Sequence, residues 1–487
     1  MEKGKGTYNV IVIGAGTAGL VTAAGTAGLG GRVALIERHK MGGDCLNFGC
    51  VPSKALISSA RAIDTIRHAN EWGLETQEPS FEFGKLFERM RERRGKIAPN
   101  DSRERYEELG VDVFEGDAHF ISPHEIIVND QTLHARHFVI ATGRRAGIPP
   151  IKGIEDVPYF TNETFFDELN EKPDRLTIIG GGPIGCELGQ TMSRFGVEVT
   201  IVEFLPQIMA KEDPEVAEFM LQRLESEGVR ILTGTGATGA ESRNGTIHLT
   251  LQKGAPGSDD SEELELETDA LLIAAGRIPN VESLNLEAAE VKFDRGGVPV
   301  NEYLQTSMPH IYAAGDIAGP YQFTHTADVQ ARTVVRNIMM PLQIVRQKID
   351  NSVVPWCTYT SPEVAHVGLS ETDARQQNVA YDVYTQQMDD VDRAIVESKD
   401  SGFAKVLTVK GSDKILGVTI VAEHAGDLLH EFVLAMKHKI GLSGIASTIH
   451  AYPTFAELAK KVGDQYNRTR LTQNAKSIFS WLYRRQL

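Results

Sequence analysis

Cysteine is scarce: four in 487 residues, at positions 45, 50, 186 and 357. That excludes a disulfide-stapled scaffold and makes any disulfide here catalytic rather than structural. Positive charge is also short. Lys and Arg total 50 against 66 Asp and Glu, a net charge of −16, which argues against a nucleic-acid partner. No apolar run approaches the roughly 18 residues a membrane-spanning helix requires. No apolar run precedes the first strand in MEKGKGTYNV, so no secretory leader is expected and a cytoplasmic location is. Hydrophobic residues at 41% and charged residues at 24% are ordinary for a globular chain long enough for about three domains.

What the chain has in abundance is glycine, 46 residues, and some of it is spaced with meaning. An apolar, β-branched run from Tyr8 to Ile13 leads into Gly14, Gly16 and Gly19, then a small-residue helix over about 18–30. A strand over 32–36 follows and ends at Glu37. The same order recurs. The run 176–179 leads into Gly180, Gly182 and Gly185, a helix, a strand over 197–202 and then Glu203. First glycine and acid are 23 residues apart in both copies, 14 to 37 and 180 to 203. A lone glycine triplet is weak, but strand, triplet, helix and acid in register describe a dinucleotide-binding βαβ unit. The first glycine permits the turn, the second admits a pyrophosphate, and the third lets the helix pack closely with its positive end toward the phosphates. The two acids suit ribose hydroxyls. The second unit is expected to be inserted in the first domain.

Between the units, 61–109 is charged and mostly helical. The runs 138–143 and 271–276 close the two units, and the acidic stretch 254–266 reads as a hairpin loop. After a helix over 327–340, alternating strands and helices from about Val353 predict a third, α+β domain.

The chemistry centres on GGDCLNFGCVPSKAL. Cys45 and Cys50 sit at a helix start, and Gly49 and Pro52 permit the distortion a disulfide across five residues needs. A helix N-terminus lowers a thiol pKa and favours the thiolate. Cys186, on a helix, and Cys357, on a strand, are read as core residues.

These motifs resemble the class I pyridine nucleotide-disulfide oxidoreductases, which include glutathione reductase, dihydrolipoamide dehydrogenase and mercuric reductase. The likeness runs from about Tyr8 to about Tyr466. It rests on both glycine fingerprints, on Cys45 to Cys50 with Val51-Pro52-Ser53-Lys54, on Ala141-Thr142-Gly143 and on Ala313-Ala314-Gly315-Asp316. The resemblance implies an α/β fold of two Rossmann-like nucleotide-binding domains, FAD and inserted NAD(P), plus a C-terminal α+β dimerisation domain. Residues 1–152 and 281–350 would hold FAD, 153–280 the nicotinamide nucleotide, and 351–470 would form the interface of a homodimer. Residues 471–487 would be a tail helix. Cys45 would be the outer thiol that meets the acceptor and Cys50 the thiolate facing the flavin. Lys54 and Glu187 would pair beside the flavin ring. Asp316 would bond the ribityl–pyrophosphate region, and a helix beginning near Thr326 and Ala327 would aim its dipole at the flavin. Gly276 and Arg277 would line the nucleotide sites. NADH is the expected donor, because Glu203 is not followed by a cation in Phe204-Leu205-Pro206-Gln207; NADPH is the alternative.

Disulfide reductases of the family carry a His before a Pro near the C-terminus, with a Glu five residues after it. Here the segment reads His450-Ala451-Tyr452-Pro453-Thr454-Phe455-Ala456-Glu457, so Tyr452 stands in the base position and Glu457 is retained. A phenol of pKa about 10 is a poor base at neutral pH, against about 6.5 for imidazole. A Tyr here resembles the mercuric reductase branch, as do Val391-Asp392-Arg393-Ala394 and the stretch 417–426. The implied acceptor is a metal ion or small electrophile as substrate, with no resident metal. That branch ends in a further cysteine pair, whereas no cysteine follows Cys357 here. Two alternatives stand beside this reading: a lipoamide-type disulfide reductase with His450 as base, and a quinone-linked electron carrier. The tail from 474, with Ile478, Phe479, Trp481 and Leu482 among Lys476, Arg484 and Arg485, suits a helix packed on the dimer or a peripheral membrane contact.

Overall fold

The computed structural model describes residues 7–254, 261–340 and 345–486. The first fingerprint builds a mostly parallel sheet. Thr7–Ile13 lies between Val33–Glu37 and Gln131–Ile140, parallel to both, and Val111–Glu115 extends the Val33 side. Val10, Ile11 and Val12 are fully buried, the signature of a strand covered on both faces. Two antiparallel strands, Glu125–Val128 and Ala118–Ser122, follow at the far edge. The chain then leaves the sheet, and among the described residues it returns at Ile311–Ala313, which pairs in parallel with Phe138–Ile140. The strands described between them pair in other sheets, so the second glycine fingerprint lies within an insertion in the first fold.

That second fold is a five-stranded parallel sheet in the order Arg230–Leu232, Glu198–Val202, Arg175–Ile179, Ala270–Ile273, Phe160–Thr161. Beside it runs an antiparallel sheet of Thr235–Arg243, Thr246–Lys253 and Glu262–Thr268. The stretch 254–266 was expected to be a loop. Residues 255–260 lie outside the described ones, but Glu262 to Leu266 are strand. The acidic composition hides a period of two: Leu264 and Leu266 turn toward the core while Glu263, Glu265 and Glu267 face out.

By packing, the described residues form two compact units. One lies within 1–64, 78–206 and 227–349; the other within 65–77, 207–226 and 350–487. The second is built on an antiparallel sheet of Pro355–Thr358, Glu363–Gly368, Ile415–Ala422, Phe403–Val409 and Tyr381–Gln387. The helices Ala425–Lys437 and Glu457–Thr469 contribute Leu429, Phe432, Leu458 and Val462 to the core that covers it.

One polar cluster fixes the segment 207–226 in this unit. Lys405, 3% exposed, places Nζ 2.8 Å from Asp213, 3.2 Å from Glu371 and in contact with Glu215. Asp213 also accepts from the backbone N–H groups of Glu371 and Thr372 and from the Thr372 hydroxyl. Burial pushes the Asp213 carboxyl up, but bonds from Lys405 and Thr372 outweigh it and hold it down at about 2. With its folded pKa below the unfolded value, Asp213 stabilises the fold fully above about pH 4, and that contribution fades toward pH 2. Lys405→Met leaves buried carboxylates uncompensated and should cost roughly 3 kcal/mol. A lowered thermal midpoint at neutral pH, partly regained on mild acidification, is the expected result.

Candidate active site

The glycines of both fingerprints divide their work in the same way. Gly14 (φ +103°) and Gly180 (φ +115°) take conformations closed to side chains, and a Cβ on either would strike the carbonyl oxygen of Ala141 or Ala274. Gly19 and Gly185 sit against the carbonyls of Gly14 and Gly180, so a side chain there would force each helix off its strand. At the second glycine the surroundings are open: a Cβ on Gly16 would meet nothing nearer than 3.9 Å, and one on Gly182 nothing within 4 Å. These two residues cap the helices Thr17–Gly28 and Pro183–Arg194, and neither helix start receives a side-chain cap. Open space before uncapped N–H groups is a cradle for a pyrophosphate.

The acids occupy equivalent places. Glu37 accepts from Ala15 N (2.7 Å) and His39 N (2.8 Å); Glu203 accepts from Gly181 N (2.6 Å) and Leu205 N (2.7 Å). Each carboxylate is thus fixed at the lip of its own glycine turn, where a ribose following the pyrophosphate would lie.

The redox segment is two helices. Cys45 lies in the single turn Gly43–Asn47, and Cys50 is the first residue of Cys50–Arg67; Phe48 and Gly49 form the break between them. Both thiols are free, Cys45 half-buried and Cys50 exposed in this chain. They differ in chemistry. The hydrogen bond from Cys45 holds the Cys50 thiol below the usual range, helped by Thr324 and the Lys54 charge against the cost of burial. The same bond, with burial, drives Cys45 up. The pair is polarised so that the anion is favoured on Cys50 and the proton on Cys45.

Thr324, 3.4 Å from Cys50 Sγ through its hydroxyl, was not singled out from sequence. It is the first residue of the helix Thr324–Met339, which begins two residues before the expected Thr326. Thr326 bonds the Phe323 carbonyl at 2.8 Å, and Ala327 is buried. The positive end of this helix therefore lies beside the Cys50 sulfur.

Lys54 meets Glu187 at 2.8 Å, and Glu187 is 5% exposed. A second ion pair joins the same two helices: Arg194 reaches Asp64 at 3.3 Å and Glu227 at 2.7 Å. Asp64 and Arg194 carry no sequence signal; only their pairing gives them a role. Around the ends of the two parallel sheets, Asn280 ties the turns together. It accepts from the Thr142 hydroxyl and donates to the Thr142 carbonyl, and its N–H bonds the Gly143 carbonyl. Ala141 continues the first sheet through a bond to Ile13. Arg277, after Gly276 (φ +121°), pairs with Asp44, the neighbour of Cys45, and donates to the Arg144 carbonyl at 2.7 Å. Asp316 is half-buried, and the loss of solvent around its carboxyl raises its pKa against the opposing charges of Arg277 and Arg144.

The C-terminal residues lie in the other unit. The Tyr452 hydroxyl donates to Asp392 at 2.8 Å, and this bond raises the phenol pKa. Tyr452 is 71% exposed. Glu457 lies 3.9 Å from Lys461, and its buried Oε2 has no partner among the described residues. The His450 side chain is 7% exposed, with Nε2 2.9 Å from Glu431 and Nδ1 3.0 Å from the Thr448 carbonyl. Both ring nitrogens face acceptors. Of the other cysteines, Cys186 is fully buried, and burial drives its thiol pKa above the usual range. Cys357 packs against the core but stays partly exposed.

Two dinucleotide cradles in one chain, a polarised dithiol at a helix start and a Lys–Glu pair behind it define a class: an NAD(P)H-linked flavoprotein with a redox-active thiol pair. Residues 8–331 match the family model described as pyridine nucleotide-disulphide oxidoreductase, and 354–462 match its dimerisation domain. The chain belongs to this family; it is an FAD-dependent oxidoreductase that uses NAD(P)H. A mercuric reductase of Staphylococcus aureus is 34% identical over 459 residues, 93% of this chain and 81% of that protein. A dihydrolipoyl dehydrogenase of Thermus scotoductus is 36% identical over 455 residues, 93% and 95% of the two chains. Among solved structures, the Cu(II) complex of the HOCl-induced flavoprotein disulfide reductase RclA from Escherichia coli aligns with a TM-score of 0.83. It is 26% identical and covers 95% of this chain and 100% of that one.

Proposed function

We propose that this enzyme moves two electrons from NADH to the Cys45–Cys50 pair and on to a soft metal ion, or a small electrophile, as acceptor. FAD, when bound, supplies the two-electron relay between nicotinamide and thiols. Residues 1–152 and 281–350 hold it, with Gly14, Gly16 and Gly19 at the pyrophosphate, Glu37 at the ribose and Asp316 at the ribityl chain. Residues 153–280 hold the nicotinamide nucleotide, and 351–470 make the homodimer interface. Lys54, fixed by Glu187, places positive charge beside the Cys50 thiolate. Thr324 donates to the same sulfur. Cys45 keeps its proton until an incoming ion displaces it, and two thiolates then suit a soft cation.

The observation that carries the acceptor reading is the Tyr452–Asp392 bond. It keeps the phenol protonated and leaves that position without a base, while the other imidazole candidate, His450, has both nitrogens engaged. A relative that is a mercuric reductase and a neighbour solved with Cu(II) support the same reading. The test is NADH oxidation by the FAD-loaded dimer with Hg(II), Cu(II), lipoamide or a quinone as sole acceptor. Metal-dependent turnover exceeding both others is expected; lipoamide turnover well above the typical rate of about 10 per second would overturn the reading.

The nucleotide preference is checked on the same preparation. Glu203, held at the lip of the second cradle, favours a ribose diol and repels a 2′-phosphate, and Phe204-Leu205-Pro206-Gln207 brings no cation. The specificity constant for NADH should exceed that for NADPH by roughly tenfold. A larger constant for NADPH would refute the assignment.

A further inference from the structure

The chain ends in a feature that redox chemistry does not use. After Glu457–Thr469, Thr472 caps a separate helix, Gln473–Arg484, by accepting from Ala475 N at 3.2 Å. None of its residues is buried. Ala475, Ile478, Phe479 and Leu482 follow the i, i+3, i+4, i+7 spacing of one helix face, and Ile478, Phe479 and Leu482 are 59, 51 and 43% exposed. Trp481 and Tyr483 flank that face, and the Arg485 guanidinium sits 4.0 Å from the Trp481 ring centroid. Lys476, Ser477, Ser480 and Arg484 lie opposite. A helix this short is marginal in water without something to cover its apolar side.

Charge indicates the occupant. From 465 to 487 there is no Asp or Glu, but there are five cations: Arg468, Arg470, Lys476, Arg484 and Arg485. This stands in a protein of net charge −16, whose body would be repelled by an anionic surface. The family's dimerisation match ends at 462, before the helix begins. Among the described residues no helix is long and apolar enough to cross a membrane. An apolar stripe flanked by Trp and Tyr, with cations placed to reach back to headgroups, is the pattern of a helix lying in a lipid interface. We propose that Gln473–Arg484 docks the enzyme on an anionic membrane surface, with Ile478, Phe479 and Leu482 inserted and Lys476, Arg484 and Arg485 on the headgroups. The proposal is independent of the electron acceptor.

The test is co-sedimentation of the FAD-loaded full chain with phosphatidylcholine vesicles, with and without phosphatidylglycerol. Partition onto the anionic vesicles should be at least roughly tenfold stronger, and salt should release it. Lys476→Gln, Arg484→Gln and Arg485→Gln should each weaken it roughly fivefold. Phe479→Ser with Leu482→Ser should abolish it, as should ending the chain at Thr472. NADH oxidation and the dimeric mass should be unchanged in every variant. Failure to bind anionic vesicles, or equal binding to neutral ones, overturns the proposal. So does a truncated chain that turns monomeric, which would assign the face to a second copy of the protein.

Discussion

Cys50→Ser should remove the long-wavelength absorption of the two-electron-reduced, FAD-loaded enzyme and lower turnover with any acceptor by roughly 10³-fold or more. The band requires a thiolate against the flavin, and the structure gives the two thiols opposite tendencies. Cys50 receives hydrogen bonds from Cys45 and Thr324 and feels the Lys54 charge, all of which favour its anion. Cys45 is driven the other way. A serine at 50 has no accessible anion, so the band goes. Cys45→Ser is different: the hydroxyl can still donate to Cys50, and Thr324 and Lys54 are untouched. That variant should keep the band while losing turnover, because the acceptor loses its outer thiol. Because the Cys50 pKa is lowered, the thiolate persists at neutral pH, below the ordinary value of about 8.5, and the band should fade only on acidification. Thr324→Val should move that titration upward. Identical spectra for the two cysteine variants would show that the inner and outer assignments are wrong.

Tyr452→His should raise reduction of lipoamide or glutathione disulfide by roughly 10²-fold and leave FAD binding intact. Reducing a disulfide releases a thiolate that needs a proton, and the attacking thiol must lose one; a base poised near neutrality contributes about 10²–10⁴-fold to such steps. Tyr452 cannot serve. Its ordinary pKa of about 10 is already too high, and the bond to Asp392, with that residue's charge, raises it further. Among the described residues no cation offsets this: the group that meets the hydroxyl is a carboxylate. The carboxylate that would orient an imidazole is present, since Glu457 retains an oxygen without a partner among the described residues. Metal-ion reduction makes less demand for a base, because the ion binds thiolates directly. Steady-state kinetics on wild type and variant decide the matter. Disulfide turnover by the wild type at tens per second would contradict the argument and make His450→Ala the next variant to measure, together with the Glu431 carboxylate that holds it.

Much of the site was legible in the chain because its rules are local. A glycine that must turn, one that must leave room and one that must let a helix approach are fixed by spacing alone, and so is the acid at the end of the next strand. A cysteine pair beside Gly49 and Pro52, and a Tyr standing where a His is expected, are likewise read within a few residues. The stretch 254–266 reads as a loop although Glu262 to Leu266 are strand, because acidic composition outweighed an alternation only one strand long.

What the sequence by itself determined, then, is the two glycine fingerprints with their acids, the spacing of the cysteine pair and the Tyr standing where a His is expected, each of which needs only neighbours along the chain. The tertiary structure alone supplied the partners that favour the anion on Cys50 and that raise the Tyr452 pKa further. Thr324 reaches Cys50 across 274 positions, and Asp392 reaches Tyr452 across 60. Likewise, His450 is engaged by Glu431, and Arg194 by Asp64. A hydrogen bond or ion pair acts only over a few ångströms, so its partners become known only when the sheets have closed and brought those positions together.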